Sequence, residues 1–212
     1  MHPPVNAGPT AERVYDTLKR AMMERRFRPG DRLDPAMLAE DLNSSTTPVR
    51  EALDRLVGED LVESRTGSGF HVPAIDEPGL KDMYAWCADL LGLAVRGRPR
   101  TGNVHTSLIS GSDAFDGEPS LARRVETLFA AIGRRSLNSE HGRALERINA
   151  RLHAARLVEP LVIEDADDEF GALEAACRGA GDKLNLLRRI TAYHRRRVRL
   201  SAGIVRALYR AD

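Results

Sequence analysis

The first 75 residues show helical hydrophobic patterns interrupted by short turn signals. Apolar residues recur every three or four positions across 11–26, which predicts a helix, and Pro29 followed by Gly30 ends that pattern. A short extended segment then leads to Asp34 and Pro35, which predict an N-cap with proline in the first helical position. The residues expected to point inward from these two helices are Val14, Leu18, Ala21, Met22, Leu38, Ala39 and Leu42.

A polar turn at residues 43–47 precedes a third helix, which Thr47 and Pro48 predict to begin in the same way as the second. Two strands are then predicted, at 61–65 and 70–72, with a glycine-rich turn between them. The apolar face of the third helix consists of Val49, Ala52, Leu53 and Leu56. Two short helices joined by a tight turn and followed by a two-stranded hairpin form a winged helix-turn-helix.

Helical patterns fill most of the chain after residue 75, and no strand-like alternation follows it. Residues 73–78 are a candidate linker, and 98–119, rich in Gly, Ser and Pro, are predicted to be mostly loop. Helices are predicted over about 80–94, 120–135, 139–157, 166–178 and 182–208. We therefore expect a mainly α chain. It combines an N-terminal winged helix-turn-helix with a small β-hairpin (residues 1–75) and a C-terminal all-α helical bundle (76–212).

Composition excludes several classes of protein and site. The chain has 212 residues, of which 42% are hydrophobic and 30% are charged, as in a soluble globular protein. Its N-terminus lacks a signal-peptide pattern and no apolar run approaches the roughly 18 residues of a membrane span, so we expect a cytoplasmic protein without a membrane partner. Cys87 and Cys177 form no CxxC pair, which argues against a zinc finger or a disulfide scaffold.

Catalytic motifs are missing as well. The sequence has no Ser/His/Asp order, no P-loop, no GxGxxG and no convincing pair of carboxylates. We therefore expect no catalytic residues, and an enzyme is a remote alternative.

Bulk charge does not indicate a nucleic-acid partner. Residues 1–75 carry 10 basic and 12 acidic side chains, and 76–212 carry 22 basic and 19 acidic ones. A DNA-binding hypothesis must therefore rest on where individual basic residues lie.

Residues 45–53 have the chemistry that DNA binding needs. Hydroxyl side chains and free N–H groups at a helix N-terminus bind phosphate, and Arg50 lies in the first turn, off the apolar face, where it can reach a guanine in the major groove. Gly67 and Gly69 at the tip of the wing allow backbone to approach a sugar-phosphate chain. The candidate DNA-binding residues are Ser45, Thr46, Thr47, Arg50, Arg55, Arg65, Gly67 and Ser68. The alternative is an ordinary helix start with a solvated arginine.

Four segments within 12–72 together resemble the DNA-binding domain of the GntR family of bacterial transcription regulators. They read PGDRL (29–33), LAEDL (38–42), TPVREALDRL (47–56) and LVE (61–63). The resemblance implies a winged helix that reads an operator. Thr46 stands where the family usually has an arginine that helps read the bases, and Asp60 stands where it usually has glycine. Aspartate tolerates the left-handed conformation, so we expect the fold to persist.

The all-α remainder resembles, more weakly, the FadR-type subfamily and its shorter VanR-like group. That resemblance implies a homodimer whose helical domain binds a small molecule, often a carboxylic acid. In many members the ligand lies beside a divalent metal, which is held by one acidic residue and three histidines. Glu126 falls at the acidic position, Ala130 and Phe170 at two histidine positions, and His194 at the third.

Because two of the three histidines are replaced, we expect no metal and no cofactor. Glu126, Ala130, Phe170 and His194 would instead line a more apolar effector site. His194 also fits a satisfied core histidine, and His105, His141 and His153 are alternative sources of metal ligands. The basic cluster Arg188, Arg189, Arg195, Arg196, Arg197 and Arg199 fits either a solvated helix face or an acid-binding contribution to the pocket.

The expected function is that of a homodimeric transcription regulator. It would bind a near-palindromic operator, as a repressor, and be released or altered by a small-molecule effector such as an organic acid. In the alternative, the helical domain only dimerises and binds no effector.

Overall fold

The computed structural model describes residues 9–97, 119–178 and 182–210, and the chain divides into two compact units, Met1–Ala74 and Ile75–Asp212. The mainly helical architecture with a small sheet in the first unit is the one that the sequence predicts. Within the described residues, no helix is both long and apolar enough to cross a bilayer.

The first unit is a winged helix-turn-helix. Its elements are α1 (Pro9–Met23), β1 (Arg32–Leu33), α2 (Pro35–Asp41), α3 (Thr46–Gly58), β2 (Glu63–Arg65) and β3 (Gly69–His71). The strands form an antiparallel sheet in the order β1-β3-β2, with Leu33 and Ser64 both opposite Phe70. The core lies between α1, α2, α3 and the sheet, and its most buried residues include Val14, Leu18, Leu33, Val49, Leu53 and Leu56.

Two local predictions in this unit are confirmed. Asp34 is the N-cap of α2 and accepts a hydrogen bond from the N–H of Ala36 at 2.9 Å, with Pro35 next in the helix. Asp60 lies in the left-handed region with φ 59°, a conformation that aspartate tolerates better than most residues.

The predicted start of α3 is wrong by two residues. Ser45, not Thr47, is the N-cap, so Thr46 and Thr47 lie in the first turn and Pro48 is the third helical residue. Proline is tolerated anywhere in a first turn, because N–H groups there have no partner within the helix. Its presence therefore marks the turn but does not fix the first residue.

The second unit is an all-α bundle, as predicted. Its elements are α4 (Glu77–Arg96), α5 (Leu121–Arg134), α6 (Ser139–Val158), a 3-10 turn (Glu159–Leu161), α7 (Ala166–Arg178) and α8 (Lys183–Tyr209). α4 packs mainly on α8, and α5 packs mainly on α6. Asp76 caps α4, so this helix begins inside the predicted linker 73–78. The predicted loop 98–119 lies almost entirely outside the described residues.

The core of this unit is apolar but encloses several polar side chains. Residues that are essentially inaccessible include Leu80, Leu91, Phe129, Ile132, Leu145, Leu152 and Ile204. Buried among them are the polar or charged residues Asn149, His153, Arg156, Glu159, His194, Arg197 and Ser201. A polar group buried without a hydrogen-bond partner destabilises a core, so these side chains need partners within the fold.

Candidate nucleic-acid interface and effector site

The N-terminus of α3 is open to solvent. Ser45, Thr46 and Thr47 are all exposed, and the Ser45 side chain makes no capping hydrogen bond. The N-cap residues of α2, α4, α5, α6 and α8 do accept such a bond: Asp34, Asp76, Ser120, Asn138 and Asp182. The first-turn N–H groups of α3 are therefore available to an external acceptor such as a phosphate oxygen.

Arg50 lies one turn into α3 and is exposed. Within the part of the chain that the structure describes, its guanidinium has no hydrogen-bond or ion-pair partner. The opposite face of the helix is anchored by Val49 and Leu53, neither of which is accessible to solvent. The backbone that carries Arg50 is thus held firmly while its side chain remains free to contact another molecule.

The tip of the wing between β2 and β3 is built on two glycines with positive φ, 75° at Gly67 and 81° at Gly69. Between them Ser68 is exposed, and its Oγ lies 2.7 Å from Nε2 of the buried His71. This bond orders the turn, and it occupies part of the hydrogen-bonding capacity of the Ser68 hydroxyl.

Arg55 and Arg65 already have partners within the chain. The Arg55 guanidinium lies 3.8 Å from the centre of the Tyr15 ring and donates to Glu12 at 2.8 Å. Arg55 is therefore better explained by the packing of α3 on α1 than by DNA contact. Arg65 donates to Glu63 at 3.0 and 3.1 Å, but both side chains are exposed, and an exposed pair of this kind is easily exchanged for another partner.

Arg32 is an exposed basic residue that the sequence analysis did not single out. It lies on the edge strand β1, where its backbone is directly opposite His71 of β3. Its side chain has no hydrogen-bond or ion-pair partner within the described residues. The signal in the sequence was weak, because a lone arginine after a Pro-Gly turn fits an ordinary solvated strand end.

In the helical unit, Glu126 lies in a polar cluster with residues of α6. Its carboxylate accepts a hydrogen bond from Nδ1 of His153 at 2.6 Å, and the guanidinium of Arg156 lies 3.9 Å away. Arg156 is 1% exposed, donates to Asn149 at 2.9 Å, and lies over the ring of Phe129.

The other three residues predicted at the effector site are a core phenylalanine, a core histidine and a partly buried alanine. Phe170 is 1% exposed, Ala130 is half-buried, and His194 is 2% exposed. Nδ1 of His194 donates to the carbonyl of Ile190 at 2.8 Å, so Nε2 is the bare nitrogen, and it is buried without a hydrogen-bond partner in the part of the chain that the structure describes. Burial lowers the pKa of His194 to about 3, so its imidazole is neutral.

A second buried network joins α4, α7 and α8 to the 3-10 turn through Glu159. Arg197 donates to Glu159 at 2.8 Å and to Glu169 at 2.6 Å, and Tyr84 donates to Glu159 at 2.7 Å. Burial, together with the carboxylate of Glu159, raises the pKa values of Tyr84 and Tyr193 well above the ordinary value. Burial also raises the pKa of Cys87 to about 11, so its thiol is protonated and unreactive at neutral pH.

Residues 10–72 match the model of the gntR family of bacterial regulatory proteins. The winged helix-turn-helix unit is therefore similar to gntR-family DNA-binding domains. Over 70 residues the chain is 40% identical to the Nta operon transcriptional regulator of Aminobacter aminovorans, and the alignment covers 33% of each chain. Over 81 residues it is 28% identical to the uncharacterized HTH-type transcriptional regulator YdhC of Bacillus subtilis (strain 168), covering 38% of this chain and 36% of that protein.

The alignments therefore span about a third of the length of these curated relatives, which are described as transcriptional regulators. Two solved structures are similar over most of the chain. One is E. coli McbR/YncC, with a TM-score of 0.63 and 21% identity, covering 92% of this chain and 97% of that one. The other is a putative transcriptional regulator GntR from Rhodococcus sp. RHA1, with a TM-score of 0.66 and 18% identity. The match covers 91% of this chain and 97% of that one. At such identities the likeness shows the fold, and the FadR-type assignment stays a prediction.

The metal that a FadR-type resemblance implies does not fit the residues of this chain. Ala130 and Phe170 offer no donor atom, and Glu126 is engaged by His153, so of the four residues only His194 keeps a bare donor, its Nε2. Among the described residues, no three His, Cys, Asp or Glu side chains are placed to hold an ion together. Of the alternative histidines, His141 is bonded to Ser136 and His105 lies outside the described residues.

Proposed function

We propose that this chain is a sequence-specific transcriptional regulator that binds a near-palindromic operator as a homodimer, acts as a repressor, and is released or altered by a small organic acid. Residues 1–75 would bind DNA, and residues 76–212 would dimerise and bind the effector. The observation that carries the proposal is the exposed, uncapped N-terminus of α3 with the unpartnered Arg50 beside it.

The DNA contacts follow from the chemistry of that helix end. Hydroxyls of Ser45 and Thr47 and the first-turn N–H groups bind a phosphate, which sets the register of the protein on the duplex. Arg50 forms a bidentate pair with a guanine in the major groove, and Thr46 contacts the adjacent bases or backbone. The glycines of the wing bring Ser68 and Arg65 close to the sugar-phosphate backbone.

An effector acts on DNA binding only if it binds the two DNA-affinity states of the dimer with different strength. In the second candidate function the helical unit dimerises without an effector. The packing of Phe170 and His194 in the core favours that candidate, because these two residues of the predicted effector site are nearly inaccessible.

The test begins by selecting binding sites for the full-length protein from random DNA duplexes. Arg50→Ala should lose on the order of 1–3 kcal/mol of discrimination for the selected site, with a smaller loss on random DNA. Arg20→Ala, an exposed arginine of α1, is the matched control and should bind like the wild type. Equal losses on selected and random DNA would show that Arg50 contacts phosphate and reads no base.

A further inference from the structure

A groove of about 550 Å³ lies on the helical unit between α4 and α8. Its lining combines apolar side chains, among them Ala88, Leu187 and Val198, with several charged ones. The volume is within the range of roughly 300–1,000 Å³ that is usual for small-molecule sites. The groove, called here the α4/α8 groove, is therefore large enough for a metabolite.

Three arginines that have no ion-pair partner in the described ranges line this groove. Arg96 of α4 and Arg195 and Arg199 of α8 are all exposed, and none has a hydrogen bond or ion pair with another described residue. The guanidinium of Arg96 lies over Gly92, where an added Cβ would be only 3.2 Å from Nη2. The absence of a side chain at Gly92 thus lets Arg96 lie along the helix at the edge of the groove.

The neighbouring arginines of α8 behave differently. Arg196 donates to Asp165 at 2.9 Å, and Arg197 is committed to Glu159 and Glu169. Of these neighbouring arginines, Arg196 and Arg197 are therefore paired within the fold. Arg195 and Arg199 line the groove and have no ion-pair partner among the described residues.

His194 also lines the groove, although it is nearly inaccessible from outside. Its imidazole is neutral, and its buried Nε2 has no hydrogen-bond partner among the described side chains and backbone. The groove thus combines an uncharged lining, which includes His194, with several guanidinium groups. Such an amphipathic site suits a ligand with an apolar body and an anionic end.

We propose that the α4/α8 groove binds an organic carboxylate, with the carboxylate held by Arg96, Arg195 and Arg199 and the apolar body on the aliphatic lining. Where this ligand is the effector, the inference rests on the proposed function. It moves the effector site from the residues of α5 and α7 that the sequence indicates to the outer face of α4 and α8, with His194 common to both.

Asp89 sets the orientation of the ligand. It lies on α4 in the same groove, one turn before Gly92, and has no partner among the described residues. Its negative charge repels a carboxylate, so the anionic end should lie towards the arginines and away from Asp89. Asp89→Asn should therefore strengthen the binding of an anion.

The experiment measures binding of octanoate to the full-length protein by titration calorimetry. Acetate supplies the charge without the apolar body, and octanol supplies the body without the charge. Octanoate should bind at one site per chain and more tightly than either. Arg96→Ala and Arg199→Ala should each weaken it roughly tenfold, whereas Asp89→Asn should strengthen it roughly threefold. Arg147→Ala, an exposed arginine of α6 outside the groove, is the matched control and should bind octanoate like the wild type.

Three results would overturn the proposal. The first is no octanoate binding, or binding no tighter than that of acetate. The second is binding that the Arg96 and Arg199 variants leave unchanged. The third is a dimer that becomes monomeric in the Arg195→Glu/Arg199→Glu variant without any ligand, measured by light scattering, because the groove would then be an interface between two copies.

Failure of this proposal is distinguishable from failure of the proposed function. Octanoate binding that depends on the groove but does not change operator affinity would leave the site standing and refute effector control. Loss of DNA binding in Arg50→Ala with normal octanoate binding would support both.

Discussion

At His194, burial fixes the protonation state. A second proton on the ring would be buried, and the nearby Arg156 and Arg197 oppose it further, although the hydrogen bond from Nδ1 to the carbonyl of Ile190 favours the protonated form. The folded protein therefore lowers the pKa of this group from 6.5 to about 3. Sequence alone leaves two interpretations open for His194, a core residue or an effector ligand, and the structure gives it a place in both the core and the groove.

This shift predicts a loss of stability on acidification. The unfolded chain takes up a proton on His194 below pH 6.5 and the folded chain does not. Proton uptake therefore does not favour the unfolded chain above pH 6.5, and the folded state loses stability as the pH decreases from 6.5 towards about 3. The free energy of unfolding should decrease by up to about 1.4 kcal/mol per pH unit. The His194→Leu variant lacks this proton uptake, so its free energy of unfolding should depend less steeply on pH.

The measurement is urea unfolding between about pH 5 and pH 6.5, a window above the region in which the lowered pKa values of Glu12, Glu59 and Asp165 act. Trp86 is the single tryptophan of the chain, so its fluorescence follows the helical unit. Stability curves of the wild type and His194→Leu that run parallel across this window would contradict the prediction.

The roles of individual charged residues were only partly predictable. The exposure of Arg50 follows from its position off the apolar stripe of α3, which periodicity alone gives. The role of Arg55 depends on Glu12 and Tyr15, which lie about forty residues earlier in the chain. No local pattern specifies such a pairing, so the sequence could not separate an arginine that binds DNA from one that holds two helices together.

At the scale of elements, periodicity located the helices, because each buries one apolar stripe with a period of 3.6 residues. Close approaches between helices were not visible in the same way. α5 and α6 come together at Gly133 and Gly142, where a Cβ added to Gly133 would lie 2.9 Å from both Cα of Gly142 and Cδ1 of Leu145. In the sequence, these glycines look no different from Gly171 in the interior of α7, whose added Cβ would meet nothing within 4 Å.

Two glycine substitutions should therefore have opposite effects on stability. Gly133→Ala should destabilise the helical unit by roughly 1–3 kcal/mol, because α5 and α6 must separate to accommodate the methyl group. Gly171→Ala should stabilise it by about 0.5–1 kcal/mol, because alanine restricts the unfolded chain and favours the helix. Urea unfolding followed by Trp86 fluorescence measures both effects. Equal effects of the two changes would show that α5 and α6 can separate at Gly133 without a loss of stability.

At the scale of the whole molecule, the sequence placed the transition between the two parts of the chain near residue 75, and the compact units divide after Ala74. The change of hydrophobic period and the Pro-rich segment at 73–78 carried that information. The buried Glu159–Arg197 pair carried no such signal, since its two members lie on different elements and each looks like an ordinary surface charge in the sequence. A buried ion pair is specified by the packed fold, which brings both charges out of water together.

The homodimer proposed above makes a geometric prediction about the operator. A dimer presents two recognition helices, and the two half-sites must face the same side of the duplex to be bound together. Inserting roughly 5 base pairs between the half-sites of a selected operator rotates one of them by half a turn and should reduce affinity towards that of a single half-site. An insertion of roughly 10 base pairs restores the facing and should recover part of the affinity.

Gel-shift titrations of the full-length protein on these duplexes provide the measurement, with stoichiometry determined by light scattering. A protein that binds all three spacings equally, at one chain per half-site, would be reading DNA as a monomer, and effector control would then have to act within a single chain.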